Sequence, residues 1–276
     1  MIIFKNSHKK HPGIALKGGG FLNFSRPLVM SIVNCTPDSF YPPSRAYGAE
    51  EAAGRALAAE AEGADIIDFG AESTRPGAAP VDVDEEIRRL VPALRLFRRQ
   101  SALPVSVDTT KAAVARAALD EGADIINDIS SFGDRGMALV CAEGKAALVM
   151  VHQGRPGNAR ACLLRMAQKA VDGGIPKNKI IIDPGFGFGK SGGENISLLC
   201  HLATIKHEDY PLLVGLSRKS FIGEITGKEK EGRLAGTVAA NAFAIIAGAD
   251  ILRVHDTAAA VDLVKTAAAL YSADAV

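Results

Sequence analysis

The sequence predicts an α/β chain folded as one barrel of eight parallel strands, each followed by a helix. Three observations carry this. A helix end, a turn and a strand recur as Gly63-Ala64-Asp65-Ile66-Ile67-Asp68, Gly122-Ala123-Asp124-Ile125-Ile126-Asn127 and Gly248-Ala249-Asp250-Ile251-Leu252-Arg253. A fixed junction repeated along a chain signals repeated units. Short apolar runs alternate with helical patterns, and that alternation demands a parallel sheet. Eight such units in about 250 residues fit the TIM (β/α)8 barrel. A doubly wound open sheet is the rival fold, but no Gly-x-Gly-x-x-Gly follows the first strand.

In chain order, residues 1–27 read as a short N-terminal extension containing Gly18-Gly19-Gly20, folded as a hairpin against one end of the barrel. The barrel domain is expected over 28–276. Its first strand is Leu28 to Val33, ending at Asn34. A proline-rich loop from Thr36 to Ser44 follows, then an alanine-rich helix from Ala49 to Ala61 that stops at Gly63. The second strand ends on Asp68. Pro104 to Asp108, Ile125 to Asn127, Ala146 to His152, Ile180 to Asp183, Leu212 to Leu216 and Ile251 to Arg253 supply the remaining six strands. Helices are expected at Val83 to Arg99, Lys111 to Asp120, Met137 to Ala142, Arg160 to Asp172, Ile196 to Ile205, Leu234 to Ile246 and Ala258 to Leu270.

With 276 residues, 47% hydrophobic, the chain can bury one large core. A net charge of +1 gives no reason to expect nucleic acid or an anionic membrane as partner. Cys35, Cys141, Cys162 and Cys200 lie far apart without C-x-x-C spacing, which suits reduced thiols of a cytoplasmic protein. No signal peptide or transmembrane run is expected.

Barrel chemistry sits at the C-terminal strand ends. Here those ends carry Asn34, Asp68, Asp108, Asn127, His152, Asp183, Ser217-Arg218-Lys219-Ser220, and Arg253 with His255. Any one of them reads as a solvated strand end; together they would converge on one mouth. Asp108, Asn127 and Asp183 are acceptors suited to a flat heterocycle with several N–H donors. Arg75, Lys219, Arg253 and His255 read as cations suited to phosphate or pyrophosphate. Asn34 and an anionic substrate could together hold Mg²⁺. After Asp183, the loop Pro184-Gly185-Phe186-Gly187-Phe188-Gly189-Lys190 sets two phenylalanines, read as exposed, among glycines. Gly189-Lys190-Ser191 is not a P-loop, because the earlier glycine that motif needs is Pro184. His152 and His255 lack further ligands at zinc spacing.

These residues fall into motifs that resemble dihydropteroate synthase. They are Leu28 through Phe40, Glu72-Ser73-Thr74-Arg75-Pro76-Gly77, Ser106 through Thr109, Ile126 through Asp128, Asp183 through Lys190, Ser217 through Ser220, and Arg253 through Asp256. The resemblance implies a TIM barrel that joins 4-aminobenzoate to a dihydropterin carrying a CH₂-pyrophosphate, with Mg²⁺ and loss of pyrophosphate. It implies that Asp108, Asn127, Asp183 and Lys219 hold the pterin, with Met150 and Gly215 as further contacts. Asn34, Arg75, Arg253 and His255 would hold pyrophosphate and metal, with Asn34 the metal ligand. Thr74, Pro76, Phe188, Ser217 and Ser220 would shape the aminobenzoate pocket. Asp108, Asp183, Lys219, Arg253 and His255 would carry the catalysis.

The sequence departs from the family pattern at Tyr41-Pro42-Pro43-Ser44, where Asp-Gly-Gly is usual, and at Ser31, where Gly is frequent. It also differs at Met150-Val151-His152-Gln153, where Met-His-Met is common. A corrinoid methyltransferase using methyltetrahydrofolate would share the pterin anchors but need no pyrophosphate cradle. An inactive pterin-binding paralogue is the other alternative. The family further implies a homodimer, with the helices Leu234 to Ile246 and Ala258 to Leu270 as candidate contact faces. It also implies competition between sulfonamides and 4-aminobenzoate.

Overall fold

The structure, a computed structural model, describes residues 13–35, 45–72 and 80–273. A small antiparallel pair, β1 (Ile14–Ala15) and β2 (Phe21–Leu22), precedes the barrel. The barrel strands are β3 (Leu28–Asn34), β4 (Ile66–Gly70), β5 (Val105–Asp108), β6 (Ile125–Asp128), β7 (Ala147–Val151), β8 (Ile180–Asp183), β9 (Leu213–Val214) and β10 (Ile251–Val254). Helices α1 (Arg45–Ala61), α2 (Val83–Arg98), α3 (Ala112–Asp120), α4 (Met137–Glu143), α5 (Ala159–Asp172), α6 (Gly192–Cys200), α7 (Leu202–Ile205), α8 (Ser220–Thr226), α9 (Leu234–Ile246) and α10 (Thr257–Ala273) surround it.

The recurring Gly-Ala-Asp junction now has a physical account. Gly63, Gly122 and Gly248 take φ of +100°, +92° and +98°, which ends the preceding helix at low steric cost. The next residue's N–H bonds back into that helix, as Ala64 does to the Ala59 carbonyl. The aspartate then accepts a backbone N–H at the start of the neighbouring strand: Asp65 from Val29, Asp124 from Val105 and Asp250 from Leu212. Arg26, Arg98 and Lys206 balance these carboxylates. The repeat is therefore a structural clip at the bottom of the barrel.

The parallel sheet runs β8-β7-β6-β5-β4-β3-β10-β9, and the Ile182 N–H closes it onto the Pro211 carbonyl at 3.0 Å. Alternate strand residues divide into two layers, as period-two geometry requires. Val29, Ile67, Val107, Ile126, Met150, Ile182 and Leu252 pack outward on the helices. Met30, Ile66, Ile125, Val149, Ile181, Leu213 and Ile251 fill the interior with Ile14, Leu16, Leu22 and Phe24 from the N-terminal pair and its flanks. The extension thus closes the N-terminal end, leaving the opposite end for the site.

Two helical details differ from expectation. The helix expected from Ile196 to Ile205 starts earlier, where Ser191 and Glu194 form a capping box, and breaks at His201 into α6 and α7. Helix α8 lies where the sequence suggested only a site loop; Gly227 at φ +66° stops it. Among the described residues, no helix is long and apolar enough to cross a membrane.

Candidate active site

The alternation that builds the core also selects what faces the mouth. On β4, β5, β6, β8 and β10 the interior-facing positions end in Asp68, Asp108, Asn127, Asp183 and Arg253. Asp68, Asn127, Asp183 and Arg253 each stand two residues beyond an interior isoleucine, and Asp108 pairs in register with Asn127. Asn34 ends β3 beside Gly70 and is exposed. Gly215 continues the interior parity of Leu213.

Arg253 reaches across β3. Its Nε donates to Asp68 Oδ2 at 2.6 Å and its Nη2 to Asp108 Oδ2 at 2.7 Å. Burial pushes the Asp108 carboxyl well above its usual range; Arg253 opposes the shift, while Asp68, Glu86 and Asp128 add to it. The Arg253 guanidinium is held charged because Asp68 and Asp108 outweigh its loss of water. Beside this pair, Asn127 Oδ1 and Ser106 Oγ are buried without a hydrogen-bond partner among the described residues. A buried acceptor left open costs about 1–3 kcal/mol, so such atoms point to a ligand.

Asp183 is buried. Its Oδ1 accepts the Gly185 N–H at 2.7 Å, and its carbonyl accepts the His152 N–H at 2.8 Å. Burial raises its pKa, against the pull of the Gly185 amide, Lys219 and Arg253. Lys219 donates to the Phe186 carbonyl, and its ammonium stands 4.9 Å from the centre of the Phe188 ring. Burial lowers the Lys219 pKa to about 8, although nearby Asp183 favours the charged form. The backbone at Gly187, with φ +81°, passes so close that a Cβ there would sit 2.8 Å from Lys219 Cδ.

His255 and Ser217 form a second cluster. The His255 backbone N–H donates to Ser217 Oγ at 3.2 Å, and the hydroxyl lies 3.0 Å from His255 Nδ1. The hydroxyl, already accepting the amide N–H, keeps both a proton and a lone pair for Nδ1, so the contact forms with either imidazole tautomer. Loss of water around the imidazole, then the cations Arg253 and Lys230, hold its pKa down, to about 4.

Several expectations are corrected here. His255 is a neutral imidazole near pH 7, not a cation, because burial and then the neighbouring cations disfavour its charge. Met150 does not face the mouth: it is fully buried in the outer layer with Leu148, and Val151 holds the interior position on that strand. Phe186, read as exposed, is buried at 1% and stacks on Phe221, so only Phe188 of the pair is available to a ligand. Arg218 is not a free cradle cation; it forks onto Asp256 at 2.8 and 2.7 Å and bonds the Lys230 and Glu231 carbonyls. Lys190 staples its own loop through the His152, Gly185 and Phe188 carbonyls. Ser220 is exposed at the start of α8. Thr74, Arg75, Pro76 and the proline-bearing loop at 41–44 lie outside the described residues.

Sequence reasoning passed over Asp68 as a partner of Arg253, and Val151 and Ile129 as interior apolar residues. Strict alternation counted along β7 would have chosen Val151 over Met150. Among the described residues, no group of three or more His, Cys, Asp or Glu is placed to hold a metal ion.

Comparison with known proteins gives the family and agrees with the fold. A family model described as pterin binding enzyme matches residues 30–255. The dihydropteroate synthase of Escherichia coli strain K12 is 38% identical over 269 residues, covering 92% of this chain and 95% of its own. The structure of Xanthomonas albilineans dihydropteroate synthase with 4-aminobenzoic acid superposes with a TM-score of 0.88 at 43% identity, covering 95% of this chain and 98% of that one. The same organism's enzyme in complex with 7,8-dihydropteroate gives 0.86 at 41% identity, with 94% and 99% coverage.

Proposed function

The chain belongs to the dihydropteroate synthase family of pterin-binding enzymes, and from that premise we propose how its residues perform the family's reaction. It is a transferase of folate biosynthesis. It condenses 4-aminobenzoate with 6-hydroxymethyl-7,8-dihydropterin pyrophosphate, giving 7,8-dihydropteroate and pyrophosphate. The observation that carries the residue assignment is the open, buried Asn127 Oδ1 between the carboxylates of Asp108 and Asp183. Three acceptors on neighbouring parts of one wall match the N–H edge of a pterin ring.

In this reading Asp108, Asn127 and Asp183 hold the ring, and Lys219 supplies a donor and a positive charge over the Phe188 side. The bond between the pterin methylene and the pyrophosphate oxygen breaks, and the oxygen keeps the electron pair. The methylene becomes electron-poor, and the Asp108 and Asp183 carboxylates stabilise it at short range. The aryl amine then forms the new C–N bond and releases its proton to the departing pyrophosphate. No covalent bond to the protein is needed. The unspent side of the Arg253 guanidinium, Arg75 and the His255 imidazole receive the leaving group. Phe188, Thr74, Pro76, Ser217 and Ser220 bound the aminobenzoate, and sulfonamides, which mimic it, compete there.

Mg²⁺ fits the donor set, with Asn34 as its one protein ligand: a single exposed amide oxygen at a strand end suits an ion that keeps several waters and takes its other oxygens from phosphates. When bound, it would neutralise charge on the departing pyrophosphate. We place the protein in the cytoplasm, supported by its four free cysteines, and assign it as a homodimer on the surface of α9.

The test mixes purified protein with the dihydropterin pyrophosphate, Mg²⁺ and 4-aminobenzoate and follows both products. Equal amounts of dihydropteroate and pyrophosphate are expected. Tight pterin binding without pyrophosphate release would overturn the synthase reading in favour of a methyltransferase or a binding protein.

A further inference from the structure

Asp68 is fully enclosed, with no solvent exposure, yet it meets Arg253 from a strand two places away across the barrel. We propose that Asp68 is the positioning residue of this site: it locks the Arg253 guanidinium in the plane that presents its free side to substrate, and it touches no substrate itself. The proposal rests on the synthase reading above.

The geometry argues for it as follows. Nε and Nη2 lie on one edge of a guanidinium. Here that edge is shared by two carboxylates, Asp68 at 2.6 Å and Asp108 at 2.7 Å. One partner would leave the group free to turn about its Cδ–Nε bond; two partners on different strands remove that freedom. Among the described residues, Asp68 Oδ1 has no hydrogen-bond partner and Arg253 is the one cation paired with Asp68, a costly arrangement for a residue serving only the core. Arg253 and Asp108 keep side-chain exposures of 21% and 10%, so they can meet a ligand, whereas Asp68, at 0%, cannot. Asp68 also raises the Asp108 pKa by like-charge repulsion, so it tunes the second carboxylate through space.

Asp68→Asn keeps the shape and an acceptor for Nε but removes the charge. We expect kcat/KM for the pterin pyrophosphate to fall by roughly ten- to a hundredfold. We also expect the acid limb of the pH–rate profile to move to lower pH, because Asp108 loses a like charge; a merely structural role would leave that limb in place. The double variant Asp68→Asn/Arg253→Met should be no slower than Arg253→Met alone. Additive losses, or an unmoved acid limb, would overturn the proposal. Should the variants not fold, NMR of the wild-type Arg253 Nε–H decides: slow exchange with solvent supports the lock, and fast exchange refutes it. A wild type that makes no dihydropteroate would instead defeat the synthase reading, which separates the two failures.

Discussion

Two phenylalanines one glycine apart show how far residue type can mislead. Phe186 and Phe188 look alike in sequence, but Phe186 is buried against Phe221 with ring centroids 6.5 Å apart, while Phe188 stays partly exposed under the Lys219 ammonium. Their substitutions should therefore separate cleanly. Phe186→Ala empties a core position and should cost about 3–5 kcal/mol, read as a lower denaturant midpoint. Phe188→Ala should leave that midpoint nearly unchanged and raise the KM for 4-aminobenzoate. Equal destabilisation by both would place Phe188 in the core as well. The polar residues were easier to read. Asp108, Asn127, Asp183 and Arg253 were legible because each ends a short apolar run, and strand ends of a parallel barrel share one mouth. The charge state of His255 was not legible, since it depends on how far the ring is buried and then on which cations surround it. The direction of Met150 needed only strict alternation along β7, which turns Val149 and Val151 inward.

At the scale of elements, the strands were readable because residues buried on both faces leave unbroken apolar runs. Helix α8 was not, since seven residues give little periodicity and its sequence also carries site chemistry. The N-terminal pair β1 and β2, expected as a hairpin at one end of the barrel, is only two residues per strand, yet its contribution is large: Ile14 is fully buried with Met30, Ile125 and Ile251 at the closed end. Chemistry and stability thus sit at opposite ends. Ile14→Ala should destabilise by about 2–5 kcal/mol while kcat at a permissive temperature stays at the wild-type value. Chemical denaturation with a parallel turnover assay checks both; a lost kcat in the folded protein would mean that the closed end communicates with the mouth.

For the whole molecule, the unusual surface is that of α9. Its inner face, with Thr237, Ala240, Asn241, Ala244 and Ile245, is buried on the barrel. Its outer face should then be polar, and it is not: Ala235, Ala239, Phe243 and Ile246 follow one another at helical spacing and are all exposed, Phe243 at 65%. A helix apolar all round is one that something covers. The outward side of α10, in contrast, carries Asp262, Lys265 and Thr266, so it suits solvent or a rim. These two faces, equivalent in sequence as alanine-rich stretches, become distinct once burial is known, and the difference favours α9 over α10 as the contact face of the homodimer proposed above. An isologous contact repeats each Phe243 on both subunits, so one substitution acts twice. Light scattering at micromolar concentration should give twice the chain mass for the wild type and the single-chain mass for Phe243→Glu. Asp108, Asn127 and Arg253 meet inside one barrel mouth, away from the outer face of α9, so the monomeric variant should keep its turnover per chain and lose thermal stability instead. A wild type of single-chain mass would remove the dimer, and the apolar face of α9 would then need a different partner.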